Sequence, residues 1–136
     1  MPEITIVDFY CRTATLSVLN DTDLEEQEKI CREYCDTHGL TLGMVNCDPL
    51  SVLQFRERLA LNRMRKRYLD GTIQGVVVIN PDSLSRSTVR QAILLSEMEQ
   101  HNIALHVVDG RLEETPHGKF LLALSAFLIE VERERI

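Results

Sequence analysis

Several signatures of common protein classes are missing from this chain. It has neither a glycine-rich loop ending in Gly-Lys-Ser/Thr nor a Gly-x-Gly-x-x-Gly turn, so nucleotide binding has no support in the sequence. No stretch reaches the ~18 apolar residues that a membrane-spanning helix needs. The N-terminus also lacks the basic segment and apolar run of a signal peptide. We therefore expect a cytosolic protein without membrane contact.

Metal-ligand spacing is also missing. The four cysteines include Cys31 and Cys35, which lie four apart in a predicted helix, whereas structural zinc sites usually use Cys-x-x-Cys pairs on turns. The four histidines form no ligand pattern either. Reduced, buried thiols at Cys11, Cys31, Cys35 and Cys47 are the favoured interpretation, with zinc the lesser alternative. We expect no metal and no other cofactor.

Lysine is scarce, and its placement disfavours one further class. Asp8 and Asp48 lie near predicted strand ends, as the acidic residues of a phospho-receiver domain do. Such a domain needs a partner lysine in the same pocket, and the lysines of this chain, Lys29, Lys66 and Lys119, all fall in predicted helices. The receiver interpretation is therefore disfavoured.

Charge is unevenly distributed along the chain. The net charge of −6 argues against strong nucleic-acid binding by the isolated chain. Residues 21–36 are mostly acidic, whereas residues 56–67 carry six basic side chains against Glu57. Two interpretations of the basic segment stay open, namely DNA contact and ordinary solvated or ion-paired arginines, and they apply to Arg63, Arg65, Lys66 and Arg67.

Apolar segments alternate with amphipathic ones. Strands are predicted at about 4–7, 40–47, 73–80 and 103–108, and helices at about 23–38, 54–69, 87–102 and from about Lys119. Thr22 with Glu25 forms a capping box, Gly39 and Ser87 are predicted helix caps, and Asp48-Pro49 and Pro81 are expected to end strands. The alternation predicts one α/β domain over residues 1–136, with a mainly parallel sheet of about four to five strands flanked by helices.

Three loops that follow predicted strands carry the residues suited to chemistry. They read "YCRTATLS", "CDPLSV" and "NPDSLSRS", and parallel strands bring such loops to one edge of the sheet. Arg12, Asp48 and residues 82–86 should therefore gather there, with Arg58 adjacent. Fixed guanidinium groups among hydroxyls suit a phosphodiester, because each fork can donate two hydrogen bonds to phosphate oxygens.

The last helix, "FLLALSAFLIEVERERI", is apolar on almost every face from Phe120 to Val131. A helix of this kind must be covered on all sides, and one small domain covers only one of them. We therefore expect a second subunit to cover the other. The charged end carries no stop signal, so we also expect the chain to be part of a longer one.

The ordered set of motifs resembles the catalytic domain of serine site-specific recombinases: the resolvases, invertases and large serine integrases. "YCRTAT" resembles the family's Tyr-x-Arg-x-Ser-Thr, and "LEEQ" its Leu-x-x-Gln helix. Arg58 lies where the family has the arginine of Arg-Pro-x-Leu, and "INPDSLSRS" is similar to Asp-Arg-Leu-Ser-Arg. "TPHGKF" resembles the opening of the dimerising helix, and "VERERI" its Glu-x-Glu-Arg ending.

The resemblance implies site-specific DNA cleavage and strand exchange, as in DNA integration, through a phosphoserine link assisted by arginines and without metal. It implies DNA contact mainly through parts of the chain beyond residue 136, and a dimer or tetramer of identical subunits. Catalytic positions would be Arg12, Arg58, Asp82 and Arg86, with Tyr10, Gln27, Ser51 and Ser85 supporting them. Interface positions would be Phe120, Leu124, Phe127, Leu128, Val131, Glu132 and Arg133.

The departures from the family pattern bear directly on activity. Ala14 occupies the position of the nucleophilic serine, and alanine has no oxygen with which to attack phosphorus. Ser83 replaces the first arginine of Asp-Arg-Leu-Ser-Arg, Val52 the glycine after Ser51, and Leu59 the proline after Arg58. We expect a cleavage-deficient domain in which Thr13, Thr15 or Ser17 does not replace the serine.

Two questions stay open from the sequence. Ala14 is either a substitution made to trap a complex or a product of natural divergence, and the second loss at Ser83 favours divergence. The alternative to a recombinase-type domain is a non-catalytic, degenerate module that keeps the fold for dimerisation or regulation.

Overall fold

The computed structural model describes residues 4–13, 22–50 and 57–134. Within these residues strands and helices alternate, as predicted. In chain order they are β1 Ile6–Thr13, α1 Thr22–His38, β2 Thr41–Pro49, α2 Leu59–Leu69, β3 Gly75–Val78, α3 Thr88–Gln100, β4 Ala104–Val107 and α4 Pro116–Arg133.

The described strands form one parallel sheet in the order β2-β1-β3-β4. This confirms the predicted α/β fold with its parallel sheet. β1 and β3 are central, and all four residues of β3, Gly-Val-Val-Val, are buried, as a strand covered on both faces requires. The strands end at a common edge, where Arg12 of β1 lies beside Asp48 of β2 in register.

Helices cover both faces of the sheet. α1 packs on one face, around Phe9 and the thiols of Cys11, Cys31 and Cys35. α2 and α3 cover the other face through Leu61, Met64, Leu94 and Met98. α4 packs on the outside of α3, where Ala92, Leu95 and Leu121 form a separate apolar cluster. The molecule is therefore layered, with α4 outermost.

The cysteines lie where the reduced-thiol interpretation placed them. Cys11, Cys31 and Cys35 are buried, Cys47 is partly buried, and all four are free thiols. Burial raises the pKa of Cys31, so this thiol is unreactive at neutral pH. Among the described residues, no three His, Cys, Asp or Glu side chains are grouped to hold a metal ion. None of the described helices is long and apolar enough to cross a bilayer.

Two helix ends follow the local signals in the sequence. Gly39 ends α1 in the left-handed region at φ +67°, where a side chain would be strained. The Ser87 hydroxyl accepts a hydrogen bond from the Arg90 backbone N–H at 3.3 Å and caps α3. α1 begins at Thr22, one residue earlier than predicted. The side chain of Thr22, on which the predicted capping box depends, lies outside the described part of the chain.

The predicted start of α2 at Gln54 is wrong. Residues 51–56 lie outside the described residues, 57 and 58 are not α-helical, and the helix begins at Leu59. The cause is a distant cap. The Asp48 carboxylate accepts hydrogen bonds from the backbone N–H groups of Ala60 at 2.9 Å and Leu61 at 3.0 Å, which holds the helix N-terminus at this point.

The predicted strand break at Asp48-Pro49 is also wrong, because β2 continues through Pro49 beside Thr13. β2 is an edge strand, and proline is tolerated there since its missing N–H need not pair with a neighbouring strand. β1 likewise extends beyond the apolar run 4–7, through Asp8 to Thr13. The last residues of both strands therefore carry the polar groups.

α4 begins at Pro116, three residues before the predicted start at Lys119. The Thr115 hydroxyl accepts a hydrogen bond from the Gly118 N–H at 3.0 Å, and proline occupies the first helical position. Gly118 is needed here for space, because an added Cβ would lie 2.0 Å from the Leu112 carbonyl oxygen. The loop before α4 thus packs directly on its first turn.

Candidate functional site

Arg12 lies next to last in β1, at the edge of the sheet where the strands end. Its side chain is 8% exposed, and Nη2 donates hydrogen bonds to the carbonyl oxygens of Pro49 at 3.3 Å and Leu50 at 3.1 Å. The backbone of Arg12 is contacted from α1, where the Gln27 amide donates to the Arg12 carbonyl oxygen at 3.5 Å. The guanidinium is therefore held at the end of the two strands.

A second buried arginine, at the residue just before α2, supports this edge. Arg58 is 1% exposed and donates to the Tyr10 hydroxyl from Nε at 3.2 Å and from Nη2 at 2.8 Å. Its guanidinium carbon lies 5.3 Å from the centroid of the Tyr10 ring, within cation–π range. Tyr10 in turn donates to Asp48 Oδ2 at 2.8 Å. Arg58, Tyr10 and Asp48 thus form a continuous buried chain that also caps α2.

The protonation of this chain follows from its surroundings. Burial raises the pKa of Tyr10, and hydrogen bonding to Asp48 acts in the same direction against the opposing influence of Arg58. The phenol therefore keeps its proton at neutral pH and can donate to the Asp48 carboxylate. Burial also lowers the pKa of Arg12, and the positive charges of Arg58 and Arg86 lower it further. Arg58 and Arg86 are thus both close enough for their charges to act on Arg12.

The loop after β3 contributes the third of these cations. Residues Pro81–Ser83 form a 3-10 turn that carries the exposed Asp82 and the partly buried Ser83. Ser85 is buried and its hydroxyl accepts from the Ser87 N–H at 3.1 Å, whereas Arg86 is exposed. This loop follows β3 and so is at the edge of the sheet where Arg12 and Asp48 lie near the ends of their strands. The sequence predicted that residues 82–86 would meet Arg12 and Asp48 there.

Most of the basic residues of α2 are engaged within the domain. Arg65 forms an ion pair with Glu97 of α3 at 2.7 Å, and Arg67 one with the buried Asp8 at 2.7 Å. Arg63 donates to Asn46 Oδ1 at 3.0 and 3.2 Å. For Arg65 and Arg67 the ion-paired interpretation is favoured over DNA contact, and Arg63 is hydrogen-bonded to an amide of the domain. Lys66 is exposed.

The Asp8 contacts also argue against a phospho-receiver pocket. Besides Arg67, its carboxylate accepts from the Met44 backbone N–H at 2.8 Å and from the Asn46 amide at 3.3 Å. Asp48 is occupied by Tyr10 and the start of α2. Both carboxylates are therefore committed to joining α2 to the sheet.

Two predicted site positions, Ala14 and Ser51, lie outside the described residues, as do Thr15 and Ser17. Thr13 is described, and its hydroxyl contacts Cys47 Sγ at 3.6 Å. Cys47 belongs to the apolar cluster beneath α1. The Thr13 hydroxyl therefore faces the interior of the domain, which makes it poorly placed to replace the serine that is missing at position 14.

The predicted interface residues lie along α4. Leu124 and Leu128 pack partly on α3, whereas Phe120 and Phe127 are each 59% exposed. Leu121 and Ser125 are the side chains buried against α3. Positions 120, 124, 127 and 131 recur at helical spacing, so they form an outer apolar stripe beside the polar Glu132 and Arg133.

Sequence reasoning missed two features of the site. Asp48 was expected at the sheet edge, but its capping of α2 was not, because the two segments lie more than ten residues apart. Gln91 was not singled out at all. It is 1% exposed and donates to Asp82 Oδ1 at 3.2 Å, and a polar residue on the otherwise apolar face of α3 was the available signal.

Comparison with known proteins agrees with this geometry. The family model "Resolvase, N terminal domain" matches residues 7–136. The N-terminal catalytic domain of TP901-1 integrase has a similar structure, with a TM-score of 0.70 and 25% identity over 96% of this chain and 98% of that one. A resolvase family site-specific recombinase from Streptococcus pneumoniae shares the fold, with a TM-score of 0.67 and 20% identity over 97% and 89% of the two chains.

A curated relative matches part of the sequence. A candidate DNA recombinase of Bacillus subtilis (strain 168) is 36% identical over 80 residues, which cover 59% of this chain and 16% of that protein. The match therefore spans a small part of the relative's length. Together with the family model and the shared fold, it shows that the chain belongs to the resolvase N-terminal domain family and is a catalytic-type domain of serine site-specific recombinases.

Proposed function

We propose that the strand-end edge binds a phosphodiester of DNA between Arg12, Arg58 and Arg86, in a domain that cannot cleave because position 14 is alanine. The observation that carries this proposal is the geometry of the strand-end edge, where the Arg12 guanidinium is held by the carbonyl oxygens of Pro49 and Leu50 and the Arg58 guanidinium by the Tyr10 hydroxyl. An anion bound beside these fixed positive charges is stabilised by them. Guanidinium forks also match phosphate oxygens in geometry.

The buried chain behind the site holds these cations in position. Tyr10 and Asp48 fix Arg58, and the two strand-end carbonyls fix Arg12, so little reorganisation accompanies phosphate binding. Such prepositioned charge is the arrangement that stabilises phosphoryl transfer. In this chain it would bind and orient DNA, with Asp82 and Ser85 shaping the loop that carries Arg86.

The outer apolar stripe of α4 supplies the second part of the proposal. Phe120, Leu124, Phe127 and Val131 would pack against the same helix of a second copy, with Glu132 and Arg133 at the margin. A dimer or tetramer would then present two or more phosphate sites to one duplex. The DNA-recombining activity of a complete protein would further need a nucleophile that this sequence lacks at position 14.

A direct test is DNA affinity at several salt concentrations. Replacing Arg86 with alanine should weaken binding of the full-length protein to duplex DNA and lower the salt dependence, because a phosphate contact is lost. Arg32→Ala is the matched control, since Arg32 is an exposed arginine of α1 paired with Glu28.

The alternative function is a non-catalytic module for dimerisation or regulation, which the alanine at position 14 favours. This module would associate through α4 without using the arginine cluster. Equal DNA affinities for the wild type and the Arg86→Ala variant, with association intact, would support the alternative and contradict the phosphate site.

A further inference from the structure

Gln91 is a buried polar side chain that the proposed chemistry does not use. It is the fourth residue of α3, is 1% exposed, and is flanked by apolar residues that pack on the sheet and on α4. A buried amide needs hydrogen-bond partners, since an unsatisfied one is costly. Its partners therefore identify what it holds together.

One end of the amide holds the loop after β3. Gln91 Nε2 donates to the Ser85 carbonyl oxygen at 2.5 Å and to Asp82 Oδ1 at 3.2 Å. A carbonyl and a carboxylate can only accept hydrogen bonds, so the nitrogen of the amide must face this loop. Asp82 and the backbone just before Arg86 are thus tied to α3.

The other end of the amide holds the start of α4. Gln91 Oε1 lies 3.0 Å from Nε2 of His117, the second residue of that helix. The amide oxygen can only accept, so His117 must carry a proton on Nε2 and donate it. One side chain therefore joins the loop at the phosphate site to the first turn of the helix that carries the outer apolar stripe.

We propose that Gln91 is a positioning residue that couples the 82–86 loop to the first turn of α4. A shift of α4 when a second subunit packs on its stripe would move His117, and through Gln91 it would move Asp82 and Arg86. Subunit association would thereby adjust the phosphate site. The functional consequence rests on the proposed function, whereas the link itself is a property of the folded chain.

A purely structural role for Gln91 makes a different prediction. If the amide only fills space in the core, removing it and removing His117 would have independent effects on the loop. If it transmits position, the two effects are not additive, because each substitution breaks the same chain of contacts. A double-mutant cycle distinguishes the two roles.

The cycle uses the full-length wild type, Gln91→Met, His117→Ala and the double variant. The readout is backbone hydrogen exchange of residues 82–87. We expect His117→Ala to speed exchange in this loop about fivefold when Gln91 is present, and less than about twofold in the Gln91→Met background. Gln100→Met, at an exposed glutamine near the other end of α3, should leave the loop unchanged.

Two results would overturn the link: no response of the loop to His117→Ala, or an equal response in both backgrounds. Should Gln91→Met fail to fold, Gln91→Leu replaces it in the cycle. That variant likewise lacks the donor to Ser85 and the acceptor for His117, and the same outcomes decide.

Transmission from the subunit contact is tested by adding Phe127→Glu, which places a charge on the stripe. Faster loop exchange in the wild-type background, but not in Gln91→Met, supports the proposal, and unchanged exchange in both overturns transmission. The cycle contains no DNA. If the Gln91 link fails but DNA binding still depends on Arg86, the link is refuted and the proposed phosphate site is not. If the link holds but DNA binding does not depend on Arg86, only the phosphate site is refuted.

Discussion

At the scale of single residues, the site depends on a buried hydroxyl that joins a cation to an anion. The Tyr10 hydroxyl accepts from Arg58 and donates to Asp48, and all three side chains are buried. Burial makes each of these contacts expensive to lose, since water cannot replace them. The hydroxyl thus holds a buried charge in place.

Replacing Tyr10 with phenylalanine should lower the free energy of unfolding by about 1–3 kcal/mol, because Arg58 and Asp48 each lose a buried partner. Urea denaturation measures the change. The matched control is Tyr34→Phe, whose partly buried hydroxyl lies 3.4 Å from His106 Nδ1, and it should cost less than about 1 kcal/mol. Equal losses in the two variants would show that the Tyr10 contacts to Arg58 and Asp48 do not stabilise the fold.

Residue patterns predicted which segments meet at the strand-end edge of the sheet. Arg12 and the 82–86 segment were expected at one edge because each follows a predicted strand, and the parallel sheet makes strand ends converge. The partners of each side chain were not predictable. Nothing in the residues around Asp48 shows that it caps a helix beginning at Leu59, and nothing around Gln91 shows that His117 lies against it. These contacts depend on packing between segments that are distant in sequence.

At the scale of elements, α2 is joined to its neighbours by polar and charged side chains. Arg67 ties it to β1, and Arg65 and Tyr68 tie it to Glu97 of α3. The buried face of α2 carries Ala60, Leu61, Met64 and Tyr68. The sequence left open whether the basic face contacts DNA or is used within the domain, because arginine on a helix surface has the same pattern whether or not a partner helix lies beside it.

The Glu97 link should make stability depend on acidity. Burial acts to raise the pKa of Glu97, but the hydrogen bonds from Arg65 and Tyr68 outweigh it and lower the pKa below its usual value. Because the folded-state pKa is the lower one, the ionised group stabilises the fold above the unfolded-state pKa, and this contribution is lost as the pH falls through the folded-state value.

Glu97→Gln should therefore flatten the loss of stability below about pH 5, while lowering stability at neutral pH. Urea denaturation at a series of pH values gives the slopes. Glu99→Gln, at an exposed position on the same helix, should keep the wild-type slope. A wild-type slope in the Glu97→Gln variant would contradict the role given to this carboxylate.

At the scale of the whole molecule, the layers formed by the described residues leave large apolar side chains of α4 uncovered. α1, α2 and α3 bury the two faces of the sheet, and α4 buries one side of itself on α3. Phe120 and Phe127 remain more than half exposed. Burying a large apolar side chain contributes roughly 1.5–3 kcal/mol, so covering the stripe favours association with a second copy.

Phe127→Glu should shift the full-length protein toward the monomer at micromolar concentration, because a charge in an apolar contact is costly to desolvate. Sedimentation measures the shift. Ala126→Glu adds the same charge at the neighbouring exposed position, off the stripe, and should leave association unchanged. A protein that is monomeric before the substitution, or equally associated after it, would exclude this interface.

The most direct test of the central claim, an intact arginine site without a nucleophile, is a search for covalent protein–DNA adducts. The full-length protein would be incubated with a duplex selected for binding, alongside Ala14→Ser and the double variant Ala14→Ser with Ser83→Arg. We predict no adduct for the wild type, little for Ala14→Ser, and a phosphoserine link at position 14 for the double variant, since one charge-stabilising donor contributes about 10²–10³ in rate. A wild-type adduct mapped to Thr13, Thr15 or Ser17 would contradict the claim.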